Sequence, residues 1–361
     1  MEGNVYHDKA ISGFIEKGII TPSTEVDKSQ IQPSSLDLRC KFSGKIWHMP
    51  YSSLPQGDLV KFLDSESTHD FQLTENRFLH RGSVYVVELE EELVLPEGIS
   101  ARSNPKSTTG RLDIHARLLT ENGKVFDNVR EGYKGKLLLE IVSNSFDLVL
   151  PPGFSFNQMR FFRGLPQTLN QGMLEYLARS EDLLIDSKGK KISSKDFIQN
   201  GAVSLKLDLD PEDPGYVARR DAPTLDLSVK KRSLPFSQYF QRVNLTSDEG
   251  LVIGLDLFYL LKSRDVIQIP RDHCAEMLDI STDLGEFRAH YAGFFDPGFG
   301  ATAVMEVRNS GSPFLLKNGQ VISSLKFFAL TEKSSKSYGK SKSSYQGQRG
   351  VKPAKFFNIN K

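Results

Sequence analysis

One strand plan is written twice along this chain. "VYVVELEEELVLPEG" (84–98) and "FYLLKSRDVIQIPRD" (258–272) align with Tyr85 on Tyr259 and Pro96 on Pro270. "KLLLEIVSNS" aligns with "TAVMEVRNSG", which sets Glu140 on Glu306. Self-similarity of this kind makes two copies of one unit the economical reading, with chance likeness between two strand-rich halves as the alternative. The runs are β-branched, leucine-rich or aromatic, and Gly, Pro, Asn and Asp break them roughly every 8–12 residues, the pattern of an all-β barrel or sandwich. A length of 361 residues also favours two cores over one. The expected fold is therefore mainly β, with two tandem barrel domains and a few short helices.

Two stretches depart from the strand period. In "YHDKAISGFIEKGII", Ala10, Ile11, Phe14, Ile15 and Ile19 recur at helical spacing and Gly18 follows, which predicts a short amphipathic helix. Around "MLEYLARSEDLL" a second helix is expected, followed by a loop rich in lysine and serine. The domain boundary is drawn there, giving units 1–165 and 166–361. Lys plus Arg (46) nearly cancels Asp plus Glu (45), so no global charge argues for a nucleic-acid polymer or an anionic membrane as partner. Apolar runs fall short of the ~20 residues that a membrane helix needs, and the N-terminus has no continuous apolar segment, so a cytoplasmic location is expected. Cys40 and Cys274 are far apart, which argues for two idle thiols and no metal-binding CxxC pair.

The candidate chemistry begins at "NPKSTTGRL" (104–112), where hydroxyls, a lysine and an arginine crowd together. Such a group can cradle an anion, with the cations neutralising charge and Ser and Thr donating at short range. It lacks the glycine spacing of a Walker A loop. A polar turn between strands is the plain alternative. Farther on, Glu140 sits within the apolar run Leu137–Val142, where burial would lift its pKa toward that of a general base. His115 alternates with Ile114 in an expected strand and reads as a structural histidine.

Taken together, "NPKSTTGRL", "YKGKLLLEIVSNS", "IQPSSLDLRC", "FFDPGFGATAVMEVRNSG" and the C-terminal "SYGKSKSSYQGQRGVKPAKF" resemble the dCTP deaminase family, a branch of the dUTPase-like trimeric β-barrel superfamily. The length and duplication resemble its two-domain bacterial form. The resemblance implies two tandem dUTPase-like distorted β-barrels of the β-clip type. It puts the phosphate motif on Lys106, Ser107 and Arg111, the catalytic glutamate on Glu140, base-pocket candidates on Arg117 and Thr120, and a nucleotide-closing tail on Tyr338, Lys342, Tyr345 and Gln348. The first half lacks the family's aspartate-proline-glycine turn. The second half has it, with Asp296 and Glu306, but reads "LDISTDLGEF" with no cation at the phosphate position. A composite site follows as the expectation: first-half cradle and glutamate, second-half tail.

The implied reaction is hydrolysis of dCTP to dUTP and ammonia in pyrimidine deoxynucleotide metabolism. The zinc-deaminase signature, H-x-E with P-C-x-x-C, is missing, so a carboxylate would carry the protons. No cofactor is implied for the chemistry, and Mg²⁺ would enter with the triphosphate. The resemblance further implies a homo-oligomer, a trimer favoured, with dCTP and dUTP as small-molecule partners. Two alternatives stay open: a dUTP diphosphatase or bifunctional enzyme using Asp127 or Asp296, and a non-catalytic nucleotide-binding protein.

Overall fold

Strand Val84–Val94 pairs antiparallel with Lys134–Ser143, and strand Phe258–Gln268 pairs in the same way with Gly300–Arg308. The registers coincide. Tyr85 faces Ile141 and Val86 faces Glu140; Tyr259 faces Val307 and Leu260 faces Glu306. Each ladder carries a bulge, between Lys136 and Leu138 in the first half and between Lys262 and Val266 in the second. Both tyrosine hydroxyls accept a backbone N–H five residues upstream, from His80 at 3.2 Å and Gly254 at 2.8 Å. The duplication read from sequence is thus a duplication of register.

These features come from a computed structural model that describes residues 3–54, 57–74, 77–246, 250–278, 288–289, 292–339 and 345–360. Among them strands dominate, and the α-helices are Asp8–Glu16, Leu59–Glu66, Ser107–Gly110 and Gln171–Ser180. The first and last match the predicted helices. The opening helix ends where Gly18 takes φ +68°, and the last is capped by Asn170, whose side chain accepts from Met173 N. A second ladder recurs in each half: Ile99–Pro105 with Asn157–Arg163, and His273–Leu278 with Val321–Ala329. No helix among the described residues is long and apolar enough to cross a membrane.

Alternating apolar positions on these strands build two main cores. One gathers first-half residues such as Leu139, Ile141, Phe156 and Phe161; the other gathers Ile267, Met305, Leu325 and Phe327. The first core is not made by the first half alone. Leu225, Leu227, Phe236, Tyr239 and Phe240 pack into it, as do Val351, Phe356 and Phe357 from the C-terminal end. Strand Leu225–Asp226 adds in parallel to Leu148–Val149, which fixes this crossover.

Charged and polar groups knit the two halves. Arg160, 1% exposed, donates to the carbonyls of Ala275 and Phe295 at 2.8 Å each. Arg308 reaches Asp113 at 2.6 Å, and Arg102 reaches Glu276 at 3.0 Å. A buried guanidinium is tolerated only when such acceptors replace water, so these contacts fix one barrel against the other. Cys40 and Cys274 are buried free thiols, and burial pushes both pKa values up, that of Cys274 to about 11.

Candidate active site

The segment read as an anion cradle folds into a single helical turn, Ser107–Gly110, preceded by Lys106 and followed by Arg111. Thr109 anchors it by donating to the Phe156 carbonyl at 2.7 Å. Lys106 hydrogen-bonds the carboxylate of Asp37, from the "SSLDLR" strand. Asp37 is buried, and burial raises its pKa despite the opposing charge of Lys106; among the described residues its Oδ1 has no hydrogen-bond partner.

Glu306 meets this turn from the second half. It is 1% exposed, and its Oε2 accepts the N–H of Ala292 at 3.0 Å. Gly110 is what permits the approach: a Cβ there would collide with both carboxylate oxygens of Glu306. The glutamate facing the cradle is therefore Glu306, not Glu140. The reason lies in how the barrels pack, since the glutamate ladder of one abuts the helical turn of the other. Tyr345, Gln348 and Tyr338 close the same space. Arg111 stacks on the Tyr345 ring at 3.7 Å, donates to the Lys352 carbonyl at 2.7 Å and lies 3.4 Å from Gln348 Oε1. Thr108 and the Tyr345 hydroxyl share a hydrogen bond of 2.9 Å. Burial raises the Tyr345 pKa, which keeps that hydroxyl protonated. Gln348 Nε2 donates to the Thr302 carbonyl at 2.7 Å, and Val351 N donates to Asp213, itself 3.1 Å from the buried Lys262.

Together these groups line a cavity of 450 Å³ that holds Lys106, Ser107, Arg111, Asp296, Glu306, Tyr338, Tyr345 and Gln348. Asp296 is buried, accepting from Ser34 at 2.7 Å beside Arg160. Lys342 and the rest of 340–344, within the lysine- and serine-rich tail, lie outside the described residues, as does the second-half counterpart of the cradle from residue 279 to 287.

The other predicted residues form a separate group on the first barrel. Glu140 faces Arg117 across the ladder and accepts from Ser52 at 2.8 Å; burial raises its pKa against the pull of Ser52 and Arg117. Arg117 pairs with Asp127 at 3.2 Å, and burial pushes Asp127 up to about 6. Thr120 is buried just beyond the Arg117 strand. None of these four lines the cavity. His115 is pushed down to about 3, by burial first and then by Arg288, Arg117 and Arg308, so it is neutral at physiological pH. Sequence reasoning missed Asp37, Lys231 and Lys355 as cavity residues. The first stood inside a quoted motif, and the last lay in the quoted tail; Lys231, in the run "VKKR", carried no signal beyond charge.

Comparison with known proteins matches both halves. The family model described as 2'-deoxycytidine 5'-triphosphate deaminase (DCD) N-terminal domain covers residues 2–165, and that of the DCD C-terminal domain covers 170–357. The chain is 30% identical over 169 residues to a "dCTP deaminase, dUMP-forming" of Dictyoglomus turgidum, covering 44% of this chain and 80% of the relative. It is 31% identical over 163 residues to the protein so named in Streptomyces avermitilis, covering 43% and 78%. It is also similar to the crystal structure of 2'-deoxycytidine 5'-triphosphate deaminase from Agrobacterium tumefaciens, with a TM-score of 0.83, 32% identity, and 91% of this chain and 100% of that one covered. A tandem pair of dUTPase-like β domains, matched along nearly its whole length by this family, identifies the chain as a member of the dCTP deaminase family.

Proposed function

We propose that this chain deaminates dCTP hydrolytically in the cavity between its halves, with Glu306 as the proton-transferring base and dUTP and ammonia as products. The observation that carries the reading is the shared cavity: Lys106, Ser107 and Arg111 line it with a glutamate that is 1% exposed. Glu306 takes a proton from water as the oxygen bonds to C4 of cytosine. That proton passes to N3 of the ring; the proton of the new C4 hydroxyl is then carried to the amino group, the C4–N bond breaks, and ammonia leaves behind the C4 carbonyl and N3–H of dUTP. General acid–base transfer of this kind contributes about 10²–10⁴ in rate. Lys106, Ser107 and Arg111 hold the phosphates, and Tyr345 and Gln348 hold Arg111 in its buried position. Mg²⁺ arrives as part of the nucleotide complex.

The test follows ammonia and nucleotide products together, with dCTP and Mg²⁺, for the native protein, Glu306→Gln and Glu140→Gln. Ammonia with an equal amount of dUTP, lost in Glu306→Gln and kept in Glu140→Gln, supports the reading. Loss in Glu140→Gln alone would transfer the role to the first-half glutamate.

A second reading has its own observation. Asp37 and Asp296 line the same cavity, and Asp37 Oδ1 is a buried acceptor without a partner among the described residues. Buried carboxylates beside the phosphate cradle could direct a second water at the triphosphate, which would release pyrophosphate and leave dUMP. Pyrophosphate appearing in step with ammonia would establish it.

A further inference from the structure

The alignment that sets Tyr85 on Tyr259 puts Glu88 where the second half carries Lys262. Glu88 is half-buried and lies 3.7 Å from Lys136. Lys262 is 4% exposed, and its ammonium sits among Asp213 at 3.1 Å, Asp208 at 3.4 Å and Asp210 at 4.0 Å. A buried ammonium persists only where such acceptors replace its water. All three aspartates come from "DLDPEDPG" (208–215), a turn in which Asp213 N donates to the Asp210 carbonyl and Glu212 N to Asp210 Oδ1, both at 2.9 Å.

The Asp213 oxygen that meets Lys262 has a second task. This Oδ2 also accepts the N–H of Val351 at 3.0 Å. Gly350 permits the approach, since a Cβ there would lie 2.8 Å from the same oxygen. Val351 is 3% exposed within the first core, and the carbonyl of the next residue, Lys352, receives Arg111 at 2.7 Å. A continuous line therefore runs from Lys262 of the second barrel through Asp213 and the tail backbone to the phosphate motif of the first. Gln348 is held separately: its Nε2 donates to the Thr302 carbonyl at 2.7 Å, and its own carbonyl accepts Thr302 N at 3.1 Å. Asp213 thus acts on the part of the tail that follows Gln348, where the acceptor for Arg111 lies. A carboxylate tied to a buried ammonium is fixed in direction, and its bond to an N–H is charge-assisted.

We propose that Asp213, oriented by Lys262, is a positioning residue: it fixes the backbone at Val351 and, through the Lys352 carbonyl, aims Arg111 at the phosphates of the substrate. The proposal rests on the reading that Arg111 holds the phosphates of dCTP.

The experiment compares the native full chain with Asp213→Ala and Asp213→Asn. Hydrogen exchange at the Val351 amide is read in each, and the dCTP dissociation constant is measured with Glu306→Gln present throughout, so that no turnover occurs. Asp213→Ala leaves Lys262 paired with Asp208, and a cooperative melt above the assay temperature certifies the fold. Asp213→Ala should speed Val351 exchange and weaken dCTP binding, each by roughly tenfold or more. Asp213→Asn, whose amide oxygen still accepts an N–H, should restore binding to within about threefold of the native value. Added to Arg111→Lys, Asp213→Ala should cost less than about twofold, because an effect exerted through Arg111 disappears with it. An equal loss of affinity in both backgrounds overturns the proposal, as does unchanged exchange at Val351. A native chain that releases no ammonia from dCTP refutes the deaminase reading, whereas Val351 exchange that still quickens in Asp213→Ala sustains the anchor.

Discussion

Glu140 and Glu306 hold equivalent places in two copies of one ladder, yet their surroundings differ. Glu306 is set against Gly110 of the other half, whereas Glu140 is covered by Ser52 of its own half and faces Arg117. Glu306→Gln should therefore lower kcat by about 10²–10⁴. Glu140→Gln should leave most of the turnover, and because burial disfavours its charged form, it should raise the thermal midpoint at pH 8. Parallel turnover assays and melting curves check the pair. His115 gives a signature in pH. Its folded pKa of about 3 lies below the usual 6.5, so the unfolded chain takes up a proton first as the medium is acidified. Its contribution is complete above pH 6.5 and is lost as pH falls toward 3, by roughly 1–3 kcal/mol at pH 4.5–5.5. Asp127 works with the opposite sign, since its raised pKa costs stability as pH climbs from 3.8 through about 6. Replacing His115 with Gln should flatten the acid limb of stability measured by urea unfolding between pH 7 and 4.5. Which glutamate faces the cradle could not be read from the sequence, because both sit in equally apolar runs and only the packing of the halves separates them.

At the scale of elements, the strands and the duplication were readable because burial on a pleated sheet leaves a period that survives in the residue order. The Ser107–Gly110 turn was less so: four residues carry no helical period, and their conformation is set by Lys106, Phe156 and the partner half. That turn tolerates little change. Gly110→Ala would press a methyl into the Glu306 carboxylate, and about 1–3 kcal/mol of lost stability with loss of turnover is expected. Thermal melting and ammonia release test it. The helix Leu59–Glu66 also escaped the sequence reading, although Asp58 caps it by accepting from Lys61 N. Its short apolar face, through Leu59 and Leu63, packs on Trp47 and Val86 in a small satellite core rather than in either large one.

For the whole molecule, the two matched halves are not two independent bodies. The first core takes in Leu225, Phe236, Phe240 and Phe357 from beyond the matched first half. Residues 1–165 produced alone should lack cooperative unfolding and bind a hydrophobic dye, whereas the intact chain should melt in a cooperative transition. Circular dichroism melts and dye binding on both proteins measure this.

The cradle, the glutamate and the closing tail all belong to one polypeptide. Their encounter is consequently intramolecular, governed by an effective concentration that the covalent chain fixes and that dilution cannot lower. Specific activity should hold constant as enzyme is diluted from micromolar to picomolar, where a site assembled from separate polypeptides would lose its members one by one. Turnover per chain across that range reads the difference directly.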